Sequence, residues 1–108
     1  MESIFHIVDA DEWAAAVESG EYAPVSLAAE GFVHLSFAQQ VAGTLERYYS
    51  GVPNLVVVEF DPARLGLPVV VENLAGTGEF PHVYGPLPTA AAVGVRPVSA
   101  AGSVTAPG

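Results

Sequence analysis

The sequence predicts a small α+β domain built on a bent or split, mostly antiparallel sheet with two main helices. Helical periodicity is confined to the first half of the chain, and short strand-like runs crowd the second half. Strands alternating one for one with helices would instead signal a parallel βαβ array. Length supports the same reading, because 108 residues, 51% of them apolar, supply one hydrophobic core and no second. The expected domain covers residues 1–98, and residues 99–108, small and aperiodic, read as a disordered tail.

Ile4–Val8, rich in β-branched and aromatic residues, reads as the first strand. Asp9 is the predicted N-cap of a helix, with Glu12 as capping-box partner and Val8 and Trp13 at staple positions. Trp13, Ala16 and Val17 share a face at i, i+3 and i+4, and Gly20 is placed to stop the helix in the left-handed conformation. Tyr22–Ala29, interrupted by Pro24, reads as a loop or a brief strand. Gly31–Leu35 reads as a second strand. Ser36 is then predicted to cap the next helix with Gln39 as its partner. Phe37, Val41, Leu45 and Tyr48 form the apolar stripe of that helix, and Gly51 and Pro53 end it. Leu55–Phe60, Pro68–Glu72, Phe80–Tyr84 and Ala92–Val98 are the remaining strands, with a turn at Asp61-Pro62 and an irregular connector over Asn73–Gly78.

Charge excludes several functions. Twelve carboxylates stand against three arginines (Arg47, Arg64 and Arg96) and no lysine, a net charge of −9. Such a surface repels phosphate backbones and anionic lipid, so neither nucleic acid nor a membrane is an expected partner. It offers no long-range steering to an anionic substrate either, and any phosphate must be held locally. No apolar run approaches the roughly 20 residues of a membrane span. The acidic start, Met1-Glu2-Ser3, is unlike a signal peptide, and there is no cysteine for a disulfide or a thiolate metal site. A cytoplasmic location follows as the expectation.

Chemistry points to the histidines. His6 shares a strand face with Ile4 and Val8, His34 with Phe32 and Ser36, and His82 with Phe80 and Tyr84. All three are flanked by residues expected to be buried, where an imidazole needs partners for its nitrogens. The expectation is one shared small-molecule pocket; the alternative is three structural histidines. No His-x-His or His-x-x-x-His pair is present, so no metal site is predicted. Ser26 and Ser36 lie near the histidine segments, but neither sits in a nucleophile elbow, and Gly76-Thr77-Gly78 lacks the rest of a phosphate loop. Glu72, closing a run of three valines, is the carboxylate singled out for a raised pKa or a specific donor partner; Glu30 and Glu59 rank below it.

Phe5-His6-Ile7, the Trp13 helix, Gly20-x-Tyr22, Ser26-Leu27, Glu30-Gly31-Phe32-Val33-His34-Leu35-Ser36 with Gln40, Glu72, and Phe80-Pro81-His82-Val83-Tyr84-Gly85 together carry a resemblance over about residues 4–98. The chain resembles the bacterial family catalogued as domain of unknown function 952, grouped with the ADP-ribosyltransferase-like superfamily. The resemblance implies two small sheets flanking a cleft for NAD or an ADP-ribose-like ligand. It implies His6 as the first-strand ribose contact and Gly31, His34 and Ser36, with Ser26, as the binding segment. Glu72 is implied as the candidate catalytic carboxylate; His82 and Tyr84 lie in the family's own motifs without an assigned role, and their chemistry makes them candidates for a general acid or a stacking platform. The Glu-x-Glu pair of arginine-specific transferases is missing, as are the basic residues with which RNA phosphotransferase relatives hold phosphate. The functional expectation is therefore a small-ligand-binding domain, as an NAD- or ADP-ribose-dependent transferase or hydrolase. A non-catalytic metabolite-binding or interaction module is the alternative.

Overall fold

The computed structural model describes residues 1–74, 76 and 78–98; the tail expected at 99–108 lies outside the described residues. Its elements are β1 (Ile4–Asp9), α1 (Ala10–Ser19), β2 (Glu21–Tyr22), α2 (Val25–Glu30), β3 (Val33–His34), β4 (Ser36–Phe37), α3 (Val41–Tyr48), β5 (Leu55–Phe60), β6 (Val69–Glu72), β7 (Phe80–Val83), β8 (Leu87–Pro88) and β9 (Ala92–Pro97). All strand pairings are antiparallel, in a four-stranded sheet β4-β1-β5-β9, a three-stranded sheet β3-β7-β6 and a two-stranded pair β2-β8. The α+β class and the split antiparallel sheet agree with the sequence reading. No helix among the described residues is long and apolar enough to cross a membrane.

The main core lies between the two larger sheets. Ile4, Val8, Val58 and Phe60 come from one sheet and Val33 and Val83 from the other, each at most 4% exposed. Trp13 of α1 closes one side, edge-on to Phe60 at 5.7 Å between ring centroids. A smaller cluster on the opposite face of the four-stranded sheet joins Ile7, Leu55 and Val57 to Val41 and Leu45 of α3. Both faces of β1 are thus covered, as the mixture of apolar residues at its odd and even positions requires.

Asp9 is the N-cap of α1, its carboxylate accepting from the Asp11 and Glu12 amides, and Gly20 ends the helix at φ 87°. Trp13 and Ala16 are buried, but Val17, placed on the same stripe, is 53% exposed. Of the loop or brief strand expected over Tyr22–Ala29, the strand is found only at the start, where Tyr22 ends β2; from Val25 the chain forms the short helix α2, which carries no side-chain cap and no buried residue. Without a cap or an apolar stripe, nothing in the sequence announces it. Ser36 is not a helix cap either. It lies in β4, and the chain enters a short 3-10 turn at Ala38, ahead of α3, capped by Phe37, whose amide donates to the Gln40 side chain, not Gln39, at 2.9 Å.

The segment from Val33 to Phe37 positions the site. It pairs with β7 through Val33 and His34, then with β1 through Ser36 and Phe37, so one extended stretch passes from one sheet to the other. Leu35, 1% exposed, sits at the crossing and anchors it in the core, while its amide donates to the Pro81 carbonyl at 3.0 Å.

Candidate functional site

In the three-stranded sheet, His34 lies opposite His82 and His82 opposite Val70, while Glu72 lies opposite Phe80. Opposed residues share a face and alternate residues along a strand return to it. The even-numbered His34, Glu72, Phe80 and His82 therefore stand together on the side away from the core, and Val33, Val69 and Val83 face inward. His82 is nonetheless only 2% exposed. Phe32 stacks on its ring, with centroids 4.3 Å apart and planes at 24°.

The polar contacts form a continuous set. His82 Nδ1–H donates to Glu72 Oε1 at 2.9 Å, and the Tyr84 hydroxyl donates to the same oxygen at 2.5 Å. His82 Nε2 lies 3.0 Å from His34 Nδ1. The carbonyl of His34, at the crossing between sheets, accepts from His6 Nδ1–H at 2.9 Å. With that hydrogen on Nδ1, the other nitrogen of a neutral His6 must accept, and the Tyr22 hydroxyl donates to it at 2.9 Å. The three histidines thus belong to one connected cluster: His34 meets His82 ring to ring and His6 through its backbone.

Electrostatics separates their states. Burial lowers the His6 pKa from 6.5 to about 4, against the raising effect of its bond to His34, so the ring is neutral near pH 7. His34 is also lowered, by burial and by the adjacent His82, with Glu30 opposing. Glu72 is held below the usual carboxylate range by the bonds from Tyr84 and His82, and Tyr84 is raised by the same contact. The sequence left Glu72 either a raised pKa or a specific donor. The second is what forms, and it moves the pKa the other way, because a carboxylate with donors favours its charged form.

Two hollows meet at His34. One of about 220 Å³ is lined by residues including Phe32, Glu72, Leu74 and His82. The other, about 480 Å³, includes His6, Ser26, Ser36, Thr44 and Tyr49. Glu30, His34 and Phe80 border both. None of the three arginines lines either one. Arg64 pairs with Asp61 at 3.4 Å and Arg96 approaches Glu59 at 3.8 Å. Among the described residues no group of three histidine or carboxylate side chains could hold a metal ion. A larger hollow of about 730 Å³, between α1 and β2, contains no histidine.

Of the residues singled out from sequence, His6, His34, Glu72, His82 and Tyr84 come together through hydrogen bonds. Ser26 and Ser36 line the larger hollow, where Ser36 donates to Thr44 Oγ1 at 3.3 Å. Gly31 does not line either hollow: it caps α2 at φ 85°, its amide donating to the Leu27 carbonyl. Sequence reasoning assigned no site role to Tyr22, Thr44 or Phe80, and included Phe32 only as part of the Gly31–Ser36 segment. Strand alternation puts Phe32 and Phe80 beside the histidines, so those two were within reach; the contact from Tyr22 spans two sheets and has no local signal.

The family model described as "Protein of unknown function (DUF952)" matches residues 7–95. The chain is similar to the crystal structure of protein CC0527 from Caulobacter crescentus, with 29% identity and a TM-score of 0.79 over 95% of this chain and 93% of that one. The solution NMR structure of CC0527 gives 31% identity and a TM-score of 0.79 over 96% of this chain and 91% of that one. No curated protein matches the chain.

Proposed function

We propose that this chain, which belongs to the DUF952 family of proteins of unknown function, is a small-ligand-binding domain whose pocket is the cleft around His34. The observation that carries the reading is that His34 borders both hollows while His6 and His82 are locked behind it. The larger hollow, about 480 Å³, falls within the size range of small-molecule sites. The ligand class we propose is the ribose-bearing part of NAD or ADP-ribose, and membership of the ADP-ribosyltransferase-like superfamily is part of the same proposal. Its support is the order of parts: a histidine on the first strand, a segment crossing between two sheets into a helix, and a carboxylate on a later strand. No arginine or lysine lines either hollow, so recognition rests on hydroxyl groups and stacking rather than on pyrophosphate charge. His6 serves as a fixed wall, since both its ring nitrogens are engaged inside the protein.

The enzymatic form of the reading is an NAD- or ADP-ribose-dependent transferase or hydrolase. In it Glu72, kept ionised by its two donors, stabilises an oxocarbenium-like sugar centre. A non-catalytic metabolite-binding or interaction module is the second reading, favoured by the full hydrogen bonding of His6 and the near-complete burial of His82. The test is an NMR titration with NAD and ADP-ribose that follows the imidazole signals. Saturable shifts at His34 and His82 with a perturbed Glu72 amide support the proposal, and nicotinamide release from bound NAD then selects the enzymatic form. No shift at about millimolar ligand removes this ligand class, since such binding would be worth under about 4 kcal/mol.

A further inference from the structure

Donor and acceptor accounting gives the polar chain beside the cleft a direction. The ionised Glu72 carboxylate can only accept, so the hydrogen in its 2.9 Å contact with His82 sits on His82 Nδ1. In a neutral ring the opposite nitrogen, His82 Nε2, is then an acceptor. It lies 3.0 Å from His34 Nδ1, which must supply the hydrogen. His34 Nε2 is left with its lone pair, and among the described residues no group donates to it. His6 makes the contrast, because Tyr22 fills its corresponding nitrogen.

We infer that Glu72, His82 and His34 form a directed proton relay whose working end is His34 Nε2, a general base for an O–H group held in the cleft. The inference rests on the reading that this cleft is the site and deepens it by naming the chemistry. The O–H donor is a sugar hydroxyl of the ligand or a water beside it. Its O–H bond breaks, an Nε2–H bond forms, and the electron pair stays on the oxygen, which becomes the nucleophile. The positive charge gained by His34 is shared with a ring whose far nitrogen donates to a carboxylate. Passing the His34 Nδ1 hydrogen to His82 Nε2 carries the charge toward β6, where the ionised Glu72 carboxylate accepting from His82 Nδ1–H stabilises it without being protonated. In this step His34 is the group that takes the substrate proton, and His82 and Glu72 act through it as positioning residues.

The surroundings fit that task. His34 is faced by His82 of β7, Glu72 of β6, Glu30 at the end of α2 and His6 of β1, with Phe80 at 5.0 Å between ring centroids. Burial and His82 lower its pKa, so the lone pair is free near neutral pH. At the far end Tyr84 donates to Glu72 and keeps it ionised, hence an acceptor only.

Nitrogen-15 spectroscopy of the imidazoles in the ligand-free full chain at neutral pH tests the relay. We expect His34 as the Nδ1–H form, the tautomer that free histidine disfavours. Glu72→Gln keeps the size of the side chain, but its amide can donate as well as accept, so the single orientation is lost and the Nε2–H form of His34 appears. A purely structural Glu72–His82 contact would leave His34 unchanged. Diethyl pyrocarbonate acylates an imidazole nitrogen with an open lone pair, so His34 should react at least about tenfold faster than His6 or His82. His34 found as Nε2–H in the unmodified protein, a tautomer indifferent to Glu72→Gln, or equal reactivity of the three rings each overturns the relay. No ligand is added, so the relay can stand while NAD and ADP-ribose fail to bind, and can fail while they bind.

Discussion

The three-stranded sheet has one face packed into the core and one that carries the polar cluster, and they interleave residue by residue along the same strands. Val33 and Val83 point inward and are fully buried, while His34 and His82, each one position away on the same strand, face the other side and border the cleft with Glu72. Leu35 follows His34 directly and returns to the core at 1% exposed. The alternation lets a small domain hold a polar cluster without weakening its core, because each inward residue pins the outward residue beside it. His82 is the exception. It lies on the outer face yet is buried beneath Phe32, so it belongs to both regions.

Neighbouring residues should therefore respond very differently. Leu35→Ala should have the largest effect, a loss of about 2–5 kcal/mol in chemical denaturation, since the side chain fills the crossing between sheets. His34→Gln, one residue earlier and exposed, should change stability by less than about 1 kcal/mol while abolishing ligand-induced shifts in the NMR titration. A large stability loss at His34 would erase the distinction between the faces.

Acid should act next. His6 is neutral in the fold with a pKa of about 4, against 6.5 in the unfolded chain. Between those values the unfolded state binds more protons, so stability falls as pH drops from 6.5 toward 4, by on the order of 3 kcal/mol in all. Glu72 acts in the same direction at lower pH, because its depressed pKa contributes stability that is lost as it protonates. The denaturation free energy measured across this range should lose much of its slope in His6→Gln. Tyr22→Phe, which removes the donor to the buried His6 Nε2, should cost about 1–3 kcal/mol in chemical denaturation. The smallest expected effect on stability is that of Glu72→Gln, read as a denaturation midpoint close to that of the unmodified protein, because Glu72 sits on an edge strand and the amide still accepts.

These contrasts also revise how the histidines can be probed. Stability loss on substitution would suggest a structural role from sequence alone, yet His6 and His82 are so fully bonded that replacing either costs stability whatever the function. Only His34 separates the readings.

Much of the fold was legible because its signals are local. The Asp9 cap, the Gly20 stop and the bounds of Leu55–Phe60 each follow from a few adjacent residues. The Val25–Glu30 helix was not legible, for it has neither cap nor apolar stripe, and its neighbours alone hold it. Strand alternation made the candidate site partly legible by pairing His82 with Tyr84 and His34 with Phe32.

By itself, then, the sequence determined the α+β class, the mostly antiparallel sheet, the scarcity of arginine and lysine, and which strand faces carry the three histidines. Tertiary structure alone decided that His34 sits where one strand crosses between two sheets, with its carbonyl turned to His6 and its ring to His82. Strand periodicity states which side of a sheet a residue occupies. It does not state which strand lies opposite, and hydrogen-bond partners 28 and 48 residues apart in the chain are set by that pairing.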